Sequence, residues 1–401
     1  MPAALSQEVT ITGAFSTRSA GDPSPTLALN DSVAQLRRSG AAVISFGAGA
    51  PTIPPPDTTF DALAAFDVKN ASGYGSSRGE PALLTALSDW YAAEFGRPTT
   101  AAHHVVTNGA KQAIMIALLA LCDVGDEIAI PAPYWPSYLD IARLSGLTTR
   151  VLPYLSGTPD IGEWIDHVGD RTKVIVYSSP SNPTGSVLPA TDVRVLSEWA
   201  KETGRWLIAD EIYQFQYYAE DGPAPSVLRL PEEESEHVVH ISSASKTFAL
   251  MGHRVGWITA HPSVIDRCSA IASNMAGNVN TAGQALVTRA LSTPRDELAQ
   301  RSAQLKRQRD VLCAALRDCV PWLRWTTPDG GLFVWCELAD HLSGRWDGDT
   351  VAAALLSDQH VAVVPGSAFG HRDAVRLSFT ESPDKIVEGV QRIKQWGEAR
   401  L

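Results

Sequence analysis

The feature that most restricts how this chain can fold is a series of short runs that are apolar on both faces. They read VVT (105–107), EIAIPAP (127–133), TKVIVYSSP (172–180), RWLIADEIY (205–213), VVHIS (238–242) and VGWITA (255–260). A strand with one wet face alternates apolar and polar residues; these do not. Stretches of helical length separate them: one reaching Leu121, one over 138–145 and one over about 190–203. Such an alternation predicts an α/β domain, with a parallel or mostly parallel sheet flanked by helices on both faces. The longest apolar tract, residues 113–122, falls well short of the ~20 residues that span a bilayer and reads as a buried helix.

From residue 294 the character changes. Leu298, Leu305, Leu312 and Leu316 mark one face of a long amphipathic helix. FVWCEL (333–338), VAVVP (361–365), VRLSF (375–379) and a terminal helix follow. This predicts a second, smaller α+β domain over 294–401, with a large domain over 49–293. Residues 1–48, which hold the helical stretch LNDSVAQLRRSG, are assigned as an arm and part of the small domain. A chain of 401 residues suits two such lobes.

Charge and cysteine content exclude several classes of function. The formal net charge of -11 argues against a nucleic-acid partner. Five scattered cysteines without a C-x-x-C pair read as reduced thiols of a cytoplasmic protein. The opening MPAALSQEVTITGAF has no basic start and no long apolar run, so no signal peptide and no membrane partner are expected. The histidines show no ligand spacing, and no metal site is assigned.

In open α/β sheets, ligands bind outside the carboxyl ends of the strands. The polar residues at those ends are therefore the candidates. Asn182 follows the third long run in SNPTG, Asp210 and Tyr213 close the next in ADEIY, and Lys246 follows VVHISSAS. They recur at roughly one strand–helix unit, about thirty residues. A buried lysine loses basicity and becomes a nucleophile for carbonyls, forming a Schiff base. A carboxylate at the same depth needs a cationic partner, which a protonated pyridine nitrogen supplies. Pyridoxal 5'-phosphate carries an aldehyde, that nitrogen, a phenolic oxygen and a phosphate. TNGAKQAI (107–114) runs from a glycine turn into an apolar helix whose free amides suit the phosphate. Ser243, Ser245 and Arg254 add hydroxyls and a guanidinium.

The ordered set YGSSRGEP, TNGAKQAI, PAPYWPSY, SNPTG, ADEIY, SSASKTFALMGHRVGW, VVPGSAFG and VRLSF resembles the fold-type I pyridoxal-phosphate aminotransferases of classes I and II. The resemblance runs from about residue 23 to the C-terminus. It implies that Lys246 is the Schiff-base lysine and moves the proton, that Asp210 pairs with the pyridine nitrogen, and that Asn182 and Tyr213 bond the phenolic oxygen. It implies that Trp135 stacks on the ring and that the turn at Gly109, with the amides of Ala110 and Lys111, joins Ser243, Ser245 and Arg254 in holding the phosphate. Tyr74 would reach the phosphate of a neighbouring subunit, which implies a homodimer with shared sites. Arg376 would clamp the substrate α-carboxylate, helped by the backbone of Gly49 and by Asn182.

Within that family Lys111, with Ser24 in PSPT, resembles the aspartate and prephenate branch, where the lysine meets a distal carboxylate. The family's usual G-E-P-D-F reads GAPTI (49–53) here and GWR reads GHR, so the substrate side is altered. The expected activity is transfer of an α-amino group between an L-amino acid and a 2-oxo acid. A lyase, a cyclase or an amino-acid oxidase on a specialised amino acid uses the same cofactor residues and stays open. A regulator carrying this domain as a sensor would need an added DNA-binding module.

Overall fold

The computed structural model describes residues 16–19, 24–67, 69, 72–153, 159–342 and 344–401. The opening segment read as lacking a signal peptide, and the start of the family resemblance at residue 23, lie outside the described residues. The described chain passes through helix Pro25–Arg38 and a short strand, β1 (Ile44–Ser45). It then builds one sheet from seven strands: β2 (His104–Thr107), β3 (Glu127–Pro131), β4 (Thr148–Leu152), β5 (Thr172–Ser178), β6 (Trp206–Asp210), β7 (Val238–Ser243) and β8 (Gly256–Thr259). Their order across the sheet is β2-β8-β7-β6-β5-β3-β4.

The apolar runs lie in this sheet because both of its faces are covered. Val174, Val176, Ile208, Val239 and Ile241 pack against helices Ala110–Leu121 and Pro262–Ala276. Ile175, Tyr177, Leu207 and Ala209 point the other way, toward helix Ala190–Thr203. Alternate residues of each strand thus enter opposite cores, the period of two expected of a pleated strand. Pairing is parallel from β7 through β6, β5 and β3 to β4. Strand β8 runs antiparallel to both β7 and β2. Residues 244–255 join it to β7.

The second lobe has its own antiparallel sheet, formed by β9 (Leu323–Arg324), β10 (Phe333–Leu338), β12 (Val364–Pro365) and β13 (Ala374–Ser378) in the order β12-β13-β10-β9. Helix Arg295–Cys319 buries Leu298, Leu305, Leu312 and Leu316, as their spacing predicts. The terminal helix Pro383–Arg400 packs on it. The run 361–365, expected as one strand, divides. Its first half, β11 (Val361–Ala362), pairs with β1, and its second half pairs with β13. Helix Pro25–Arg38 lays Leu29, Val33 and Leu36 against Trp335, Leu356 and Ala362. Strand β4 escaped the sequence reading because TTRVL carries exposed Thr148, Arg150 and Val151 at the sheet edge.

Candidate active site

The carboxyl ends of β5, β6 and β7 converge on one cavity of about 280 Å³. Ser178 and Asn182 come from the end of β5, Asp210 and Tyr213 from β6, and Lys246 from the short helix Ala244–Thr247 after β7. Gly47, Gly49 and Ala50 form one wall, Trp135 and Tyr138 another. The second lobe contributes Phe333 and Arg376, and the N-terminal helix adds Thr26, Leu27 and Asn30.

Strand β6 ends at Asp210, so its side chain leaves the sheet inside the protein, 2% exposed. Tyr138 Oη donates to Asp210 Oδ2 at 2.7 Å, while Oδ1 is buried without a hydrogen-bond partner. Burial raises the carboxyl to about 6 despite the Tyr138 hydroxyl. Such an oxygen is a binding site for a cation or a donor.

Lys246 Nζ donates to the Gly49 carbonyl and stands 5.6 Å from the centre of the Tyr213 ring. Burial, then the guanidiniums of Arg376 and Arg254, lower the ammonium to about 8; Asp210 opposes them. Tyr213 is buried against the edge of Phe333, and burial raises its hydroxyl well above the ordinary phenol value, so it remains a donor at neutral pH.

Arg376 is 2% exposed, although an arginine between Val375 and Leu377 could equally face water on a half-wet strand. Its Nη1 donates to Asn182 Oδ1 at 2.8 Å and its Nη2 to the Gly47 carbonyl at 2.9 Å. The guanidinium lies 4.0 Å from the centre of Phe333 and 4.8 Å from that of Phe369. Desolvation lowers it to about 10, so it stays charged at neutral pH. Its Nε is buried and unpartnered. A buried guanidinium facing a cavity with a spare donor suits a carboxylate.

A cradle lies at the β2–helix turn. Gly109 has φ +79° and precedes helix Ala110–Leu121, whose first amides, those of Ala110 and Lys111, lack intrahelical acceptors. A Cβ on Gly109 would lie 2.2 Å from Arg254 Nη2, which places the guanidinium against this turn. A Cβ on Gly256 would lie 2.6 Å from the Gly109 carbonyl carbon, so β8 can approach only as glycine. Gly256 pairs with Thr107 on one side and Ser243 on the other, and Ser243 caps the helix that carries Ser245 and Lys246.

Other predicted residues stand differently. Trp135 borders the cavity, with the Lys111 ammonium 5.2 Å from its ring centre. Ser24 Oγ is 3.0 Å from Thr26 Oγ1, and Thr26, not Ser24, lines the cavity. Tyr74 is fully exposed and is not brought to the other site residues within this chain. The sequence reading missed Tyr138, Ser178, Met251, Phe333 and Asn30. For Tyr138 a signal existed: it stands three residues after Trp135, one helical turn away.

These groups fit pyridoxal phosphate: an orphaned carboxylate oxygen and a depressed lysine line one cavity, while the Gly109 turn beside Arg254, which is not among the residues lining it, offers free amides for a phosphate. Among the described residues no group of three or more histidines, cysteines, aspartates or glutamates could hold a metal ion, and no helix is long and apolar enough to cross a membrane.

A sequence model of the family described as "Aminotransferase class I and II" matches residues 41–393. The aspartate aminotransferase of Streptomyces avermitilis is 32% identical over 382 residues, covering 93% of each chain. The aspartate/prephenate aminotransferase of Thermus thermophilus is 30% identical, covering 92% of this chain and 95% of that one. Among solved structures, the T. thermophilus aspartate aminotransferase with maleate superposes with a TM-score of 0.87 at 28% identity, over 96% of this chain and 100% of that one. An aminotransferase from Mycobacterium tuberculosis gives 0.89 at 26%, over 97% and 100%.

Proposed function

The chain belongs to the class I and II aminotransferase family and is a pyridoxal-phosphate-dependent transaminase of fold type I; from that premise we propose roles for its residues and a class of substrate. The observation that carries the assignment of residues is the meeting of Lys246, Asp210 and Arg376 on one cavity from three separate parts of the chain.

Bound there, the cofactor supplies an aldehyde that captures amino groups and a ring that withdraws the electrons left when the α-proton departs. Lys246 Nζ holds the cofactor at rest and carries the proton to and from the substrate α-carbon, a task suited to an amine lowered to about 8. Asp210 Oδ1 accepts from the pyridine N–H. Asn182 has its oxygen engaged by Arg376, which leaves its amide N–H to donate to the phenolic oxygen beside Tyr213. Trp135 flanks the ring. The Gly109–Lys111 amides, Ser243, Ser245 and Arg254 hold the phosphate. Arg376 and the Gly49 backbone take the substrate α-carboxylate.

The proposed amino donor is an acidic L-amino acid of the aspartate type, with 2-oxoglutarate as acceptor. The Lys111 ammonium above Trp135 supports this reading, as do relatives named for aspartate. Incubation of the yellow protein with L-aspartate and 2-oxoglutarate tests it. Stoichiometric glutamate is expected, whereas glutamate formed from an aromatic or basic donor alone would reject the acidic class.

We further propose a cytoplasmic homodimer, with residues 1–48 and 294–401 forming a small lobe on the 49–293 body. Exposed Tyr74 is available to a second copy, along with Phe60, Leu63 and Met275. Sedimentation should give about twice the chain mass of 43.0 kDa. A single-chain mass with full activity rejects the dimer.

A further inference from the structure

Lys246 also borders a second, smaller cavity, whose walls mix apolar Ile53, Phe215, Leu298 and Leu305 with the hydroxyl-bearing Thr247 and Ser302. Two polar atoms of residues on this cavity have no hydrogen-bond partner among the described residues. One is Gln216 Oε1, on a side chain 4% exposed; the other is Arg301 Nε. An acceptor and a donor are thus left unpaired on two residues that wall the same small space. Such groups are destabilising when unsatisfied, and native proteins satisfy them with protein or with water. The cavity measures about 10 Å³, close to the volume of one water-sized sphere.

The chemistry of the two atoms selects the occupant. The guanidinium N–H calls for an acceptor, which would suit an anion, but the glutamine oxygen repels one. A water accepts from the first and donates to the second. The glutamine cannot turn over to avoid this, because its Nε2 donates to the Lys246 carbonyl at 3.3 Å and so fixes the amide.

We infer that one ordered water binds between Gln216 Oε1 and Arg301 Nε, behind Lys246. The water closes a ring whose other links are already made. Gln216 holds the Lys246 backbone. Arg301 Nη1 donates to the Pro54 carbonyl at 2.6 Å, and Lys246 Nζ donates to the Gly49 carbonyl. The ring therefore ties the strand-end lysine, the 49–54 segment that walls the active-site cavity, and helix Arg295–Cys319 of the second lobe. The importance of Lys246 rests on the transaminase reading; the water site does not.

The test is a crystal structure of the holoenzyme at a resolution that shows ordered solvent, together with a double-mutant cycle in thermal unfolding. Density within hydrogen-bonding distance of both atoms is expected. A dry cavity, or Arg301 turned to donate directly to Gln216, overturns the inference. Gln216→Leu and Arg301→Met should each lower the unfolding midpoint by roughly 2 °C, and the double variant by no more than the larger single loss. Additive losses overturn it. Should Arg301→Met not fold, the Gln216→Leu crystal structure decides alone: the water is lost, and a water persisting on Arg301 rejects the site. Neither measurement uses an amino or 2-oxo acid, so failure here leaves the transaminase reading untouched, and the reverse.

Discussion

Asn182 and Arg376 lie 194 residues apart in the chain, yet the guanidinium of one donates to the amide oxygen of the other at 2.8 Å in the protein interior. The amide follows a strand of the large sheet and the arginine belongs to a strand of the second lobe. One hydrogen bond thus joins the residue proposed to bind the cofactor to the residue proposed to bind the substrate carboxylate. Arg376→Ala should remove the carboxylate clamp and leave the Asn182 oxygen and the Gly47 carbonyl unpaired. Leaving such a buried acceptor unsatisfied costs about 1–3 kcal/mol. The Michaelis constant for the amino acid should rise far more than cofactor affinity falls; steady-state kinetics and cofactor titration separate the two, and an unchanged constant removes Arg376 from substrate binding.

Lys246 is depressed to about 8, below the ordinary lysine value, so its ammonium loses its proton at lower pH than a surface lysine does. Only the free amine attacks the aldehyde. Formation of the yellow holoenzyme from cofactor-free protein should speed up as pH rises toward about 8 and level off above it. Stopped-flow absorbance measures this; a rate still climbing at pH 10 would contradict the depressed amine. Lys246→Ala should abolish turnover and keep the fold, which circular dichroism checks.

Asp210 is raised to about 6 in the cofactor-free protein. A cation at the pyridine position favours its ionised form, so by linkage cofactor affinity should fall as pH drops below about 6. Asp210→Asn should erase that step and slow turnover by roughly 100-fold or more, the scale of losing one preorganised electrostatic partner. A pH-dependent dissociation constant surviving in this variant places the titration elsewhere.

Tyr138→Phe should remove the side-chain hydroxyl that donates to Asp210. The expected loss is about 1–3 kcal/mol in stability of the cofactor-free protein, with the pH step in cofactor affinity moved upward. Denaturant unfolding and cofactor titration across pH check the two halves; unchanged values in both would make the hydrogen bond inconsequential.

Gly256→Ala should disrupt the cradle without removing any polar side chain, since its Cβ would sit 2.6 Å from the Gly109 carbonyl carbon and 2.7 Å from the Ala110 amide nitrogen. Backbone must shift to admit it. The expected result is a protein that folds and loses cofactor on dialysis, measured by visible absorbance. Retention equal to the parent would show that the turn at Gly109 tolerates displacement.

Much of the architecture was open to a reading of the chain. Runs such as VIVY (174–177) and LIA (207–209) carry no charged residue and are buried at every position because both faces of their sheet are covered, and that condition is written into the side chains themselves. Helix Arg295–Cys319 likewise announces its buried face through the spacing of four leucines. Edge strand β4 and the divided run 361–365 were hidden, because edge exposure and a change of sheet within five residues leave no periodic signal.

The same division holds at the active site. Residue types and strand-end positions by themselves determined Lys246, Asp210, Asn182 and Tyr213 as a set, because a mostly parallel sheet must present its carboxyl ends together. Folding alone decided that Arg376 is buried and not wet, that Tyr138 rather than any strand-end neighbour holds Asp210, and that Tyr74 stands outside the cavity of its own chain. These outcomes depend on which surfaces from distant parts of the chain come to cover one another. Local patterns report the backbone a segment prefers; they do not report what lies across from it.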